Sequence, residues 1–268
     1  MLDDRLAEVL RVDVTDHVAT LTLDRPHRRN AMDATLGEAM LVATEALSVR
    51  DDVRAVVLTG AGEHFCVGGD LADGAGGIAS DAPLPSVVRD LRTAMRSSQL
   101  LHDMPIPSVA VIRGACAGAG LSWAAACDLR ICADTARFST AFVRAGVSGD
   151  FGGTWLLPRI VGDARARELY LLSERFGADE ALAMGLVSRV VPDAELDAAG
   201  RAVAARLAAL PPLAVRAAKR NLNDAHRTSF PEHLELEATR HAGCARTEDA
   251  VEAAMSFLEK REPTFHGR

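Results

Sequence analysis

Residues 107–128 read PSVAVIRGACAGAGLSWAAACD. Ser108–Ile112 is a compact apolar run, set off by Pro105 and Pro107, which predicts a buried strand. The small-residue tract Gly114–Leu121 then opens into an Ala-rich helix. Strand, glycine turn and helix in that order point to an α/β layer. Glycine permits positive φ and lets the backbone approach a ligand without interference from a Cβ. The first N–H groups of such a helix have no acceptor within it, so they can hold an anion or a developing oxyanion. The same tract also serves as a tight turn that packs helix against strand. The residues alone leave both readings open. Gly118-Ala-Gly120 supplies half of a dinucleotide fingerprint, but Trp123 occupies the third glycine position, where a small residue is needed. Ser122 in GLSWA lacks the second glycine of a nucleophile elbow, and no neighbour supplies an evident base for it.

Outward from this stretch the pattern repeats. A second tract, Phe65–Asp70 (FCVGGD), follows the β-branched run Val53–Thr59, which predicts another buried strand. Residues 9–23, VLRVDVTDHVATLTL, alternate apolar and polar around Asp16-His17 and predict an antiparallel hairpin with one wet face. Leu36, Met40, Ala43 and Leu47 form a helical stripe within residues 33–48. Residues 72–88 are rich in Gly, Ala and Pro without a period, and predict a mobile surface loop. A helix over 89–102 and short strands over 129–133 and 137–139 follow. From Arg165 onward helices dominate, broken by FGADEALAMG, Pro192 and Pro211-Pro212. The expectation is an α/β core of roughly 200 residues with a helical C-terminal extension.

Composition narrows the class. The chain has 268 residues, 49% hydrophobic and 25% charged, with a net charge of −7. It can bury a core without metals or disulfides. Only 4% of residues are aromatic, so the core relies on aliphatic packing and close backbone approach. Cys66, Cys116, Cys127, Cys132 and Cys244 are odd in number and form no CxxC pair, which suits reduced thiols in the cytoplasm and argues against a thiolate metal site. No apolar run approaches the roughly 20 residues of a membrane span. The acidic start MLDDRLAEVL is unlike a secretory signal. Basic residues form no long block, and the acidic balance argues against a nucleic-acid partner.

Six segments together resemble the enoyl-CoA hydratase/isomerase (crotonase) superfamily. They are DRPHRRNAMD at 24–33, VVLTGAGEHFCVGGDL at 56–71, the stretch at 107–128, FGGTWLLPRIVG at 151–162, FGADEALAMGLVSRVV at 176–191 and EDAVEAAMSFLEKREP at 248–263. The resemblance implies an α/β fold, a crotonase-like spiral of ββα turns with a C-terminal helical segment. It divides one continuous unit into a core over 1–205 and a helical segment for trimerisation and the acyl pocket over 206–268. It also implies a homotrimer or homohexamer. The implied substrate is an acyl-CoA thioester, coenzyme A entering as part of the substrate, with no tightly bound cofactor, no metal, no nucleic acid and no membrane insertion. By motif position the backbone N–H groups of Gly69 and Ala119 form the oxyanion hole for a thioester enolate. Arg29 and Lys260 match positions near CoA phosphates, and Phe257 matches one lining the acyl tunnel.

The chain departs from the family's hydratase pattern. Two glutamates are expected there, because adding water across a conjugated double bond needs an acid and a base. Ser122 stands at the first position and Phe142 at the second, both as pocket residues that cannot titrate near neutral pH. One other acid, Asp150, lies where certain isomerases carry an aspartate. Among Phe142, Val147 and Phe151 it should be partly desolvated and more basic than usual. One carboxylate suffices for isomerisation, taking a proton from one carbon and returning it at another. Asp150 could instead cap a helix starting at FGGTW. A dehalogenase would also need a histidine within residues 71–101, which contain none. The sequence-based expectation is an enoyl-CoA double-bond isomerase using Asp150, Gly69 and Ala119. The alternatives are a hydratase with a non-standard acid and base, a retired relative that binds acyl-CoA or a partner without turnover, and a hydrolase acting through Ser122.

Overall fold

A computed structural model of the chain describes residues 2–70 and 82–268. In chain order, α1 (Asp4–Ala7) precedes β1 (Leu10–Thr15) and β2 (Val18–Leu23), and α2 (Ala34–Ser48) leads to β3 (Ala55–Gly60). Next come α3 (Leu84–Asp103), β4 (Ser108–Ile112), β5 (Ala115–Ala117), α4 (Ala119–Ala126), β6 (Leu129–Ala133) and β7 (Arg137–Ser139). α5 (Gly153–Val161), α6 (Asp163–Leu172), β8 (Phe176–Gly177), α7 (Ala178–Ala183) and β9 (Arg189–Val191) follow. Four helices end the chain: α8 (Leu196–Ala208), α9 (Pro212–Asp224), α10 (Phe230–Cys244) and α11 (Glu248–Glu259).

The strands make two sheets. The larger runs β1-β2-β3-β4-β6-β9, antiparallel between β1 and β2 and parallel beyond. The smaller runs β5-β7-β8. Successive passes of the chain add a strand to the large sheet, then a strand to the small one, then a helix: β4-β5-α4, followed by β6-β7-α5. An isolated bridge between Cys66 and Cys116 places the end of the preceding pass beside β5. This is the ββα spiral, with its C-terminal helices, that the resemblance implied. The hairpin turns through Asp16 and His17 at φ +49° and +65°, the left-handed pair that matches the twist of antiparallel strands.

Alternation along the strands sorts the core into two layers. Val56, Leu58, Ala110 and Ile112 face the main cluster, which holds Trp123, Phe65, Phe138 and Phe151. Ala55, Val57, Val109 and Val111 face the opposite side, where α8 covers them with Leu196, Ala204 and Ala208. α4 is buried along its whole length, and its small side chains let it sit inside the spiral. A Cβ on Gly120 would lie 2.6 Å from the Cβ and carbonyl oxygen of Cys66. The glycine permits that contact between the two tracts.

Several elements differ from the sequence expectation. Residues 84–88 are helical rather than loop, because Pro83 caps α3 and a second proline lies in its first turn, where no intrahelical N–H is lost. The rest of the expected loop falls largely outside the described residues. Helix begins at Gly153, before Arg165, and FGADEALAMG breaks the helical run with β8 before itself forming α7. β1 is an edge strand whose residues after Leu10 are exposed on both faces. In the C-terminal segment, the buried Lys219 of α9 donates to the carbonyls of Leu101 (3.2 Å) and Ile106 (3.0 Å) and pairs with Asp128 (2.8 Å), docking that helix on the core. Among the described residues, no single helix is long and apolar enough to cross a membrane.

Candidate active site

The tract after β3 is held from behind by residues 25–33. Gly68 takes φ +95°, its carbonyl accepts from Met32 N–H at 2.8 Å, and Asp70 N–H donates to the Met32 carbonyl at 2.8 Å. In a trans peptide the N–H points opposite the C=O. The Gly69 N–H therefore faces away from Met32. Asn30, at φ +55°, spans the loop: its Oδ1 accepts from Arg25 N–H (2.9 Å), and its Nδ2 donates to the carbonyls of Ala61 (2.9 Å) and His64 (2.7 Å). The buried Arg25 guanidinium pairs with Asp33 at 3.0 Å and Asp70 at 3.2 Å, and bonds the Ala31 carbonyl.

The second tract mirrors the first. Gly118 adopts φ +52°, ψ −126° ahead of α4, its N–H donates to Ser139 O, and its carbonyl accepts from Ser122 N–H at 3.0 Å. The Ala119 N–H thus points out of the helix start, where the helix dipole favours negative charge. The tracts touch: a Cβ on Gly68 would lie 3.4 Å from Gly118 Cα and 3.1 Å from Ala117 O. Among the described residues, neither Gly69 N–H nor Ala119 N–H donates to a protein acceptor. Two unspent donors from adjoining peptides suit one oxygen that gains charge during a reaction.

A third segment, residues 142–153, completes the surroundings. Phe142 is buried, its ring 3.9 Å from where a Gly118 Cβ would be and 3.7 Å from where a Gly149 Cβ would be. It therefore spans from the second tract to the residue before Asp150. The Asp150 carboxylate is largely buried, and its Oδ1 has no hydrogen-bond partner among the described residues. Burial alone raises its pKa from 3.8 to about 6. It does not cap α5: Gly152 is the N-cap, without a side-chain bond.

The neighbouring residue fixes it in place. Phe151 sits at φ +50°, a conformation costing about 1–3 kcal/mol. Full burial of a phenylalanine is worth about 1.5–3 kcal/mol, enough to offset that strain. Its ring meets Trp123 edge-on at 5.4 Å, and its carbonyl accepts from Ser98 Oγ at 2.7 Å. Trp123 in turn donates to Ser97 Oγ at 3.0 Å.

The remaining sequence candidates divide. Ser122 lies inside this cluster, but its Oγ bonds the carbonyls of Gly118 and Asp150. Among the described residues it has neither a histidine nor a carboxylate as base. Arg29 and Lys260 are exposed, at φ +53° and +54°. Phe257 is 83% exposed on α11, so it is not packed into the core of its own chain. No group of three or more metal-ligating side chains occurs among the described residues. Sequence reasoning passed over Arg25, Asn30 and Tyr170. Asn30 alone left a signal, since asparagine after a short turn tolerates the left-handed region.

Residues 13–268 match the family model described as enoyl-CoA hydratase/isomerase. A Rhodobacter capsulatus protein named "Probable enoyl-CoA hydratase" is 40% identical over 259 residues, covering 97% of this chain and 98% of its own. The 1,2-epoxyphenylacetyl-CoA isomerase of Escherichia coli is 34% identical over 267 residues, covering 98% of this chain and all of its own. The crystal structure of an enoyl-CoA hydratase from Bacillus anthracis superposes with a TM-score of 0.91 at 30% identity, covering 97% of this chain and 100% of that one.

Proposed function

The chain belongs to the enoyl-CoA hydratase/isomerase family, and from that premise we propose that it is an enoyl-CoA double-bond isomerase with Asp150 as its proton shuttle. The thioester oxygen accepts from the N–H groups of Gly69 and Ala119. As Asp150 takes a proton from the acyl chain, negative charge moves onto that oxygen, and the two donors stabilise the enolate. Each such donor is worth about 10²–10³ in rate. The same carboxyl group then returns the proton at another carbon, so the double bond moves and no water is consumed. A base poised near neutral pH suits both halves of this exchange.

One observation carries the reading. The half-buried Asp150 carboxylate has one buried oxygen without a hydrogen-bond partner among the described residues, while Ser122 and Phe142 occupy the positions of the hydratase glutamates. The first can donate only a hydroxyl, and the second has no proton to give. Coenzyme A enters with the substrate, its phosphates drawn to Arg29 and Lys260. Phe257 reaches an acyl pocket only across a subunit boundary, which accords with assembly as a homotrimer or homohexamer through the segment over 206–268. Five free thiols accord with residence in the cytoplasm.

The hydratase reading is favoured by the name of the 40% identical relative. Assaying Δ3-to-Δ2 isomerisation and hydration side by side separates the two. Isomerisation lost in Asp150→Ala supports the proposal; robust hydration that survives that substitution sinks it. Acyl-CoA binding without product from a broad acyl panel would make the chain a binding protein.

A further inference from the structure

We propose that the hydroxyls of Tyr170 and Ser122 act as a pair that holds the Asp150 loop in register with the Gly118–Ala119 tract, making both side chains positioning residues for the proton transfer. The inference rests on Asp150 being the base.

Ser122 lies one turn into α4, its Oγ 3.3 Å from Gly118 O and 3.1 Å from Asp150 O. Those carbonyls belong to the two parts of the site that must agree in space. One starts the helix whose first N–H faces the thioester oxygen, and the other is on the residue that moves the proton. A serine hydroxyl carries one proton and two acceptor sites. It serves the carbonyls with its proton and leaves its lone pairs to a donor.

Tyr170 of α6 is placed to be that donor. Its hydroxyl and Ser122 Oγ converge on the bare face of Gly153, where a Cβ would stand 2.3 Å from the phenol oxygen and 2.6 Å from the serine oxygen. Burial, and after it the charge of Asp150, pushes the Tyr170 pKa up, so the phenol keeps its proton. From that place a bond donated to Ser122 would polarise the serine O–H and strengthen the bond it makes onward. The Tyr170 ring has little freedom, because it stacks on Phe142 at 6.1 Å and 2° and its edge abuts Gly149.

Among the described residues, the surroundings of Asp150 are otherwise uncharged. α6 presents Tyr170, α4 presents Ser122, and the 142–149 segment presents Phe142. Its neighbour Phe151 is held by Ser98 of α3 and Trp123 of α4. Removing the hydroxyl pair leaves the carboxylate chemically intact but frees the loop that carries it.

The test compares S122A, Y170F and the double variant with wild-type enzyme and D150N, as full-length assembled protein acting on a Δ3-enoyl-CoA, with kcat and KM followed across pH. The expected result is about a tenfold loss of kcat in each single variant with KM within twofold, because small misplacements of a reacting group are costly. The acid limb, expected near the Asp150 pKa of about 6 in the wild type, should move down as the freed loop admits water. The double variant loses no more than the worse single, as expected for groups acting as one unit. Single variants that keep kcat and acid limb overturn the proposal, as does a double variant whose losses multiply. If D150N is inactive while S122A and Y170F are not, the base assignment stands and the positioning role falls. A D150N enzyme with undiminished rate overturns the base assignment, and the positioning role with it.

Discussion

The buried Asp150 carboxylate makes a paired prediction about rate and stability. Its pKa of about 6 arises from burial, with no cation to compensate. As a base it must be ionised, so isomerisation should fall about tenfold from pH 7 to pH 5, whereas a carboxylate at its ordinary value of about 3.9 would leave the rate nearly flat there. The same displacement is a stability cost. The folded state holds this proton more tightly than the unfolded chain, so the contribution of Asp150 is most favourable below about pH 4 and is lost as pH rises through about 6. The loss is at most about 3 kcal/mol, since the group retains some contact with water. D150N removes the charge and keeps the shape. It should be more stable than wild type by about 1–3 kcal/mol at pH 8, with the difference closing below about pH 4. Kinetic profiles and urea denaturation of both proteins across pH measure the two effects. An acid limb near 4, or a D150N variant with no stability gain at pH 8, would refute the claim that burial tunes this carboxylate.

Other perturbations reach the supports of the site. Gly120→Ala places a methyl 2.6 Å from the Cys66 carbonyl, so overpacking should cost about 1–3 kcal/mol and lower activity by shifting the adjoining tracts; unchanged thermal unfolding would contradict that. Arg25→Met removes the guanidinium that Asp33 and Asp70 share while Asp70 keeps Arg28 at 3.7 Å, and should cost about 1–3 kcal/mol together with much of kcat, because Asp70 follows Gly69 directly. Lys219→Met takes the cation from Asp128, which keeps its bonds from Ser108, and removes a donor from two carbonyls beneath α9, with a loss of about 1–3 kcal/mol in denaturant unfolding.

What the sequence disclosed followed from pattern length. The hairpin, β3, β4 and the glycine tracts each carry a run or a fixed spacing, and they were legible down to the Asp16-His17 turn. The small sheet was only partly so: β5 spans three residues and β8 two, too short for an alternation to show. Asp150 stood out by its chemistry, yet its competing role as a helix cap could be dismissed only once Gly152 was seen to hold that place. Tyr170 carried no local signal. It belongs to an ordinary helix, and only the stacking on Phe142 and the bare face of Gly153 reveal its place. Asn30 acts through the distant carbonyls of Ala61 and His64, and Arg25 reaches the equally distant Asp70 carboxylate; their own segment does not show those contacts.

The central claim is that Asp150 removes and returns a carbon-bound proton while two backbone N–H groups hold the enolate. Proton NMR of a Δ3-enoyl-CoA incubated with the enzyme in D2O tests it most directly. The account predicts a Δ2 product with no added water, solvent deuterium on the acyl carbons in whatever share the Asp150 proton exchanges during turnover, and loss of both product and label in D150N. A β-hydroxyacyl product formed equally well by D150N would contradict it.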